Sequence, residues 1–139
     1  MLFNVSYTNP EISAEIDCIV GKPFPFLKRV TVGAIGSQRF ELTRGNEELK
    51  RVVLQTTNTP FCNIGLRPNG IKIWFSVKLH TFLLALPFKG LEIIAHDNSL
   101  RLNGPDWWLE MIPAHRAKLN RAFIRKMKGL QQKSNPDRT

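Results

Sequence analysis

Apolar and polar residues alternate over much of the chain, which is the mark of strands with one buried face. Phe3, Val5 and Tyr7 face one way, with Asn4, Ser6 and Thr8 opposite. Asn9-Pro10 signals a turn. Ile12, Ala14, Ile16, Cys18 and Val20 then alternate with Ser13, Glu15 and Asp17, which predicts a second strand. The stretch Gly21 to Phe26 holds Pro23 and Pro25. Proline fixes φ and removes a donor, so this stretch reads as a loop whose phenylalanines cover one end of a core. Val30, Val32 and Ala34 keep the period of two, Gly36-Ser37 turns, and Phe40 and Leu42 return, giving a hairpin. Asn46 to Val53 fits a short helix capped by Asn46, with Glu47 and Glu48 in its first turn. The β-branched Val52 and Val53 also allow a strand there; the helix is the preferred reading.

The second half alternates more regularly. Cys62, Ile64 and Leu66 lead to Pro68-Asn69-Gly70, where the chain reverses, and Ile71, Ile73, Phe75, Val77 and Leu79 return against Lys72, Trp74, Ser76, Lys78 and His80. Thr81 to Phe88 is apolar on both faces and predicts a strand covered on both sides, with Pro87 marking its exit. Leu91 to Ile94, then Leu100 and Leu102, flank a turn at His96-Asp97-Asn98. After Asn103-Gly104-Pro105-Asp106, a last strand sets Trp107, Leu109 and Met111 against Trp108, Glu110 and Ile112. A helix is predicted from Pro113 to Leu130, on the stripe Leu119, Ala122, Phe123, Met127 and Leu130, with Gly129 near its exit. The expected fold is α+β: an antiparallel, strongly bent sheet or partly open β-barrel, closed by this amphipathic C-terminal helix. Residues 1–130 form one β-rich domain in this reading, and 131–139 a flexible polar tail.

Composition narrows the picture. The 139 residues are 42% hydrophobic and 22% charged, which suits a folded domain. Cys18 and Cys62 stand too far apart for a disulfide framework or a zinc site, and read as small buried hydrophobes in a reducing compartment. The start of the chain does not read as a secretory signal. The longest apolar run, Phe82 to Phe88, falls far short of the roughly 20 residues that a membrane helix needs. The net charge is +9, and it is concentrated. From His115 onward there are eight Lys or Arg and one acid, whereas the first 114 residues hold twelve bases and ten acids. Such a local field suits a polyanionic neighbour.

From Cys62 to Leu130 the order of elements resembles a bacterial pleckstrin-homology-like domain. The residues that carry the likeness are Leu86-Pro87-Phe88-Lys89-Gly90-Leu91, of the form aliphatic-Pro-aromatic-x-x-aliphatic, and Trp107 to Pro113 followed by the amphipathic helix. The resemblance implies a barrel closed by that helix and a binding or scaffold role without catalysis. Eukaryotic relatives often hold phosphoinositides through basic residues on an early loop, and Lys22, Lys28 and Arg29 lie on a comparable loop. Some bacterial relatives carry two membrane spans ahead of the domain; this chain has none, so its first sixty residues are expected to supply the remaining strands.

Candidate chemistry is sparse. His80, His96 and His115 lack zinc-type spacing and read as surface or turn residues. No phosphate loop, dinucleotide fingerprint or nucleophile elbow is present. The expected function is a non-catalytic interaction module, cytoplasmic or peripheral at the membrane, that takes a protein partner or an anionic lipid headgroup. Arg116, Lys118, Arg121, Arg125, Lys126 and Lys128 supply the attraction, and Trp74 and Trp108 the contact area. No cofactor and no metal are expected. Nucleic-acid binding through the same basic helix is the alternative, and an enzyme of unrecognised type a third.

Overall fold

The computed structural model describes residues 1–5, 9–25, 35–53, 60–77 and 80–134. Its elements are β1 (Leu2–Asn4), α1 (Pro10–Val20), β2 (Phe40–Gly45), α2 (Glu47–Val52), β3 (Phe61–Arg67), β4 (Gly70–Val77), β5 (His80–Pro87), β6 (Glu92–His96), β7 (Ser99–Asn103), β8 (Trp108–Pro113) and α3 (Arg121–Ser134). The strands form one antiparallel, strongly bent sheet in the order β1-β5-β4-β3-β2-β8-β7-β6. Among the described residues β1 and β6 do not pair with each other, so the sheet stays open.

The bend follows from β2. Phe40 and Glu41 pair with Cys62 and Phe61 of β3, the Leu42 N–H donates to the Pro60 carbonyl, and β2 runs on along β8 as far as Gly45, with a register shift between Leu42 and Arg44. A bulge of this kind sharpens twist and turns a strand from one half of a sheet into the other. Alternation then places one set of side chains inside the bend. Ile71, Ile73 and Phe75 of β4, Leu84 and Leu86 of β5, Leu100 and Leu102 of β7, and Leu109 and Met111 of β8 all belong to the main core. Leu83 and Ala85 belong to a second cluster on the outer face, so β5 is covered on both sides, as its sequence predicts.

Residues 12–20 form a helix, not a strand. Asn9 Oδ1 accepts from the backbone N–H groups of Glu11 and Ile12, and Pro10 takes the first helical turn, where its missing N–H costs nothing. Ile12, Ile16 and Val20 satisfy a period of two and an i, i+4 stripe equally well. Ala14 and Cys18, which a strand would bury with them, are exposed. Cys18 is therefore a surface thiol, while Cys62 is buried as expected. Helix α1 lays Ile16 and Val20 on Phe3, Leu83 and Ala85. The first arm of the expected hairpin, Val30 to Ala34, lies outside the described residues, and no turn forms at Gly36-Ser37: Gly36 bridges Gly65 of β3 and the Ser37 N–H donates to the Ile64 carbonyl, so the chain runs on along β3 into β2 without reversing. Residues 46–53 take the helical alternative as α2. Asn46 makes no side-chain cap bond there; its Oδ1 accepts from the Trp108 N–H instead.

The C-terminal helix starts later and runs further than the sequence predicts. Pro113 closes β8, buried and paired with Phe40. His115 and Arg116 then take left-handed φ values of 57° and 58°, swinging the chain back over the sheet. Helix α3 begins at Arg121, behind Asn120, whose Oδ1 accepts from the Phe123 N–H at 3.2 Å. It buries Phe123, Ile124 and Met127 in the main core, so Ile124 takes the place expected for Ala122, which is exposed. Gly129 lies within the helix, and so do residues 131–134 of the expected tail; residues 135–139 lie outside the described residues.

Candidate functional site

Three side-chain amides seat α3. The approach to the helix, residues 117–120, is gripped from two sides. Gln38 Nε2 donates to the Lys118 carbonyl at 2.9 Å, and its Oε1 accepts from the Asn120 N–H at 2.6 Å. Asn98 Nδ2 donates to the Ala117 carbonyl at 2.9 Å, and its Oδ1 accepts from the Leu119 N–H at 2.7 Å. At the far end Gln131 Nε2 donates to the carbonyls of Phe88 and Leu91. These are two residues of the Leu86 to Leu91 segment singled out in the sequence. Each amide serves backbone groups that have no strand or helix partner of their own, which makes the helix position definite.

With its apolar side fixed inward, α3 turns its cations outward. Arg121, Arg125 and Lys128 follow i, i+4, i+7 and are exposed. Arg116 and Lys118 are exposed on the approach, and Lys126 is half-buried at the flank. No acid occurs from His115 to Ser134. Among the described residues no carboxylate pairs with Arg116, Lys118, Arg121, Arg125 or Lys128. Arg121 donates through Nη2 to the Asp97 carbonyl at 2.7 Å. The first turn of α3 has no acidic residue and opens on Arg121. The positive end of a helix dipole disfavours cations there, so local helix stability does not account for this charge.

The two tryptophans expected beside the cations point elsewhere. Trp74 and Trp108 both project from the outer face of the sheet, whereas α3 packs inside the bend. Trp74 is half-buried against the α1 cluster, with Lys72 Nζ 4.5 Å from its ring centroid. Trp108 is half-buried between two guanidinium groups, Arg101 at 4.5 Å and Arg44 at 5.7 Å. Those arginines also flank Glu110, at 2.5 Å and 3.8 Å, in a cross-strand ladder. Neither indole is a free anchor, and the expected joint surface of helix and tryptophans does not form. Trp107, just ahead of β8, packs against the main core, on the same side as Leu109 and Met111. Of the loop cations named from the resemblance, Lys22 is exposed, and Lys28 and Arg29 lie outside the described residues.

A second polar cluster lies under α1. Arg67, at the end of β3, is only 8% exposed. Its Nη1 donates to Asp17 Oδ1 at 2.8 Å and to the Gly21 carbonyl at 2.6 Å. Lys72 stands nearby, its amine brought down to about 8 by burial and by Arg67, with Asp17 opposing. The alternation of residues 12–20 hides this cluster, because it puts Asp17 on the polar face of a strand and leaves nothing to cross over Arg67, itself on the polar face of its own strand. Only the helical i, i+4 alternative for Ile12, Ile16 and Val20 would have set Asp17 over the sheet.

The histidines are exposed, and His115 stacks on Phe61 at 5.6 Å. Among the described residues no three of the His, Cys, Asp or Glu side chains gather as a metal site would need. No helix among them is long and apolar enough to cross a membrane. The buried Cys62 thiol carries a pH signature. Burial pushes it from an ordinary 9 up to about 12. Between those values the unfolded chain gives up a proton that the folded chain keeps, so stability falls as pH rises, by about 1.4 kcal/mol per unit. Cys62→Ala is expected to remove that slope. Urea melts of the two proteins on either side of pH 9 measure it; parallel slopes would contradict the burial account.

The chain matches no family model, no curated protein and no solved structure.

Proposed function

We propose that the chain is a non-catalytic interaction module of pleckstrin-homology-like plan, docking on anionic lipid headgroups through the cationic side of α3. The plan is supported by element order. Four antiparallel strands β2–β5, the segment Leu86 to Leu91, three more strands and a helix laid into the bend follow the sequence that the resemblance implies. The docking side rests on one observation. Seven bases and no acid occupy residues 115–134, while the apolar stripe of the same segment is spent on the core. The helix therefore has no oily face left to insert, and attraction is electrostatic and reversible.

Arg121, Arg125 and Lys128 give the test. Each cation near an anionic surface contributes about 1 kcal/mol, so reversing all three to Glu is expected to weaken vesicle partitioning by at least about 100-fold. Sedimentation with phosphatidylserine-containing vesicles, and with neutral ones, measures this. Wild-type protein should pellet with the first and not the second, and added salt should release it. Equal pelleting with neutral vesicles, or a triple variant that binds as the wild type does, refutes the reading. Nucleic acid is the weaker reading. A single-strand binder stacks bases on open aromatics, and here Trp74 is covered by α1 while Trp108 is covered by Arg44 and Arg101.

A further inference from the structure

The space beneath α1 has the makings of a second site, on the other face of the sheet from α3. A cavity of about 430 Å³ opens between α1 and the outer sides of β4 and β5. That size is ordinary for a small-molecule pocket. Its lining combines two chemistries. Ile12, Ile16 and Leu83 are apolar, and Asp17, Arg67 and Lys72 are charged, with Trp74 also on the wall.

The charges in this cavity do not cancel. Arg67 and Asp17 neutralise each other at 2.8 Å, and Gly21 supplies a further acceptor to the guanidinium. Lys72 has no such partner among the described residues, where no ion pair includes it. Its Nζ lies over the Trp74 ring, 4.5 Å from the centroid, and Asp17, already engaged by Arg67, acts on it only without direct pairing. An indole face attracts a cation without neutralising it. One positive charge, half withdrawn from water, is therefore left over beside an apolar wall. A dianion would exceed that charge and would also meet Asp17. A neutral apolar molecule would leave the amine as it is.

The site is also held in shape before anything enters it. A Cβ on Gly65 would stand 2.7 Å from the Trp74 ring, so the indole lies directly on the β3 backbone. Arg67 ties the sheet to α1 at Asp17 and to the end of that helix at Gly21. A preorganised cleft of this kind loses little on binding.

We propose that this cavity binds a small organic monocarboxylate, its carboxylate on the Lys72 ammonium and its apolar body against Ile12, Ile16 and Leu83. The site is independent of the α3 surface. Binding favours the charged amine, so affinity is level below about pH 8 and falls as Lys72 gives up its proton above it. Among the described residues the charged groups that face Lys72 in the cavity are Asp17 from α1 and Arg67 from β3; β5 contributes Thr81 and Leu83 there.

Benzoate and hexanoate, with benzamide as the neutral counterpart, test the idea on the full chain. The readout is the indole N–H resonance of Trp74, identified by its absence in Trp74→Phe. Either carboxylate is expected to shift that resonance at millimolar concentration and to leave those of Trp107 and Trp108 in place. Benzamide should bind at least about tenfold more weakly, a difference of about 1.4 kcal/mol. Lys72→Met should lose binding by a similar factor while keeping the Trp108 resonance, which reports folding, and Lys72→Arg should restore it. Raising the pH well above 8 should weaken the wild type alone. The proposal is overturned if neither carboxylate moves the Trp74 signal at tens of millimolar. It is equally overturned if benzamide binds as well as benzoate, or if a folded Lys72→Met binds like the wild type. None of these outcomes bears on vesicle docking.

Discussion

Phe123→Ala is expected to destabilise the protein by about 3–5 kcal/mol, the usual cost of emptying a phenylalanine site in a packed core. Phe123 is 4% exposed and shares its cluster with residues from both halves of the sheet, among them Phe75 and Met111. The gap cannot close by a small shift of α3, because Gln38 and Asn98 hold residues 117–120 and Gln131 holds the other end. Urea denaturation read by circular dichroism gives the size of the loss. The same variant tests whether architecture and docking are one thing. Under conditions where it remains folded, its vesicle partitioning should follow the seating of α3, whereas Arg125→Ala should weaken partitioning and leave stability within about 0.5 kcal/mol. A loss below about 1 kcal/mol for Phe123→Ala would mean that the helix is not part of the core.

The strands of the second half were legible because nothing competed with their alternation. Ile71, Ile73 and Phe75 are inside and Lys72, Trp74 and Ser76 outside, on the arm of a hairpin whose turn is Pro68-Asn69. The first helix was not legible by periodicity. Ile12, Ile16 and Val20 fit both templates, and the deciding signals were the cap at Asn9 and the proline at position 10, which also describe a turn. Pro113 misled in the opposite way. A proline suits the first turn of a helix, but it equally suits the last residue of a strand, and the left-handed pair His115 and Arg116 has no sequence mark such as glycine.

The candidate site was legible in charge and not in company. The run of bases after His115 is plain in the sequence, and the structure turns Arg121, Arg125 and Lys128 outward together. The tryptophans were correctly assigned to the polar faces of their strands. What the sequence did not reveal is that α1 crosses over Trp74 and that Arg44 and Arg101 converge on Trp108. Both coverings join residues far apart in the chain, so no local pattern reports them. The amides that seat α3 were missed for the same reason: Gln38, Asn98 and Gln131 act on backbone 80, 21 and 43 positions away.

Gly70→Ala is expected to cost about 3 kcal/mol, the upper end of ordinary overpacking. A Cβ there would lie 2.4 Å from the Leu86 carbonyl oxygen, 2.7 Å from Val20 Cγ1 and 3.0 Å from Pro87 Cα. Two of those three atoms are backbone, and the backbone cannot step aside. The β3–β4 turn, the end of α1 and the start of the Leu86 to Leu91 segment meet at this point. The Asn69 N–H donates to the Val20 carbonyl, and the Phe88 N–H donates to the Asn69 carbonyl. One added methyl group therefore pushes apart the hairpin, the outer helix and the segment on which Gln131 anchors α3. The matched change Gly129→Ala should have the opposite sign. Gly129 stands within α3 with nothing inside 4 Å of its would-be Cβ, so alanine removes backbone freedom from the unfolded chain at no steric cost. It should stabilise by about 0.5–1 kcal/mol. Urea melts of the two variants compare identical chemistry in two settings. If Gly70→Ala proved neutral, the three elements would not meet at Gly70 as described; if Gly129→Ala proved destabilising, α3 would end near Gly129 and not continue to Ser134.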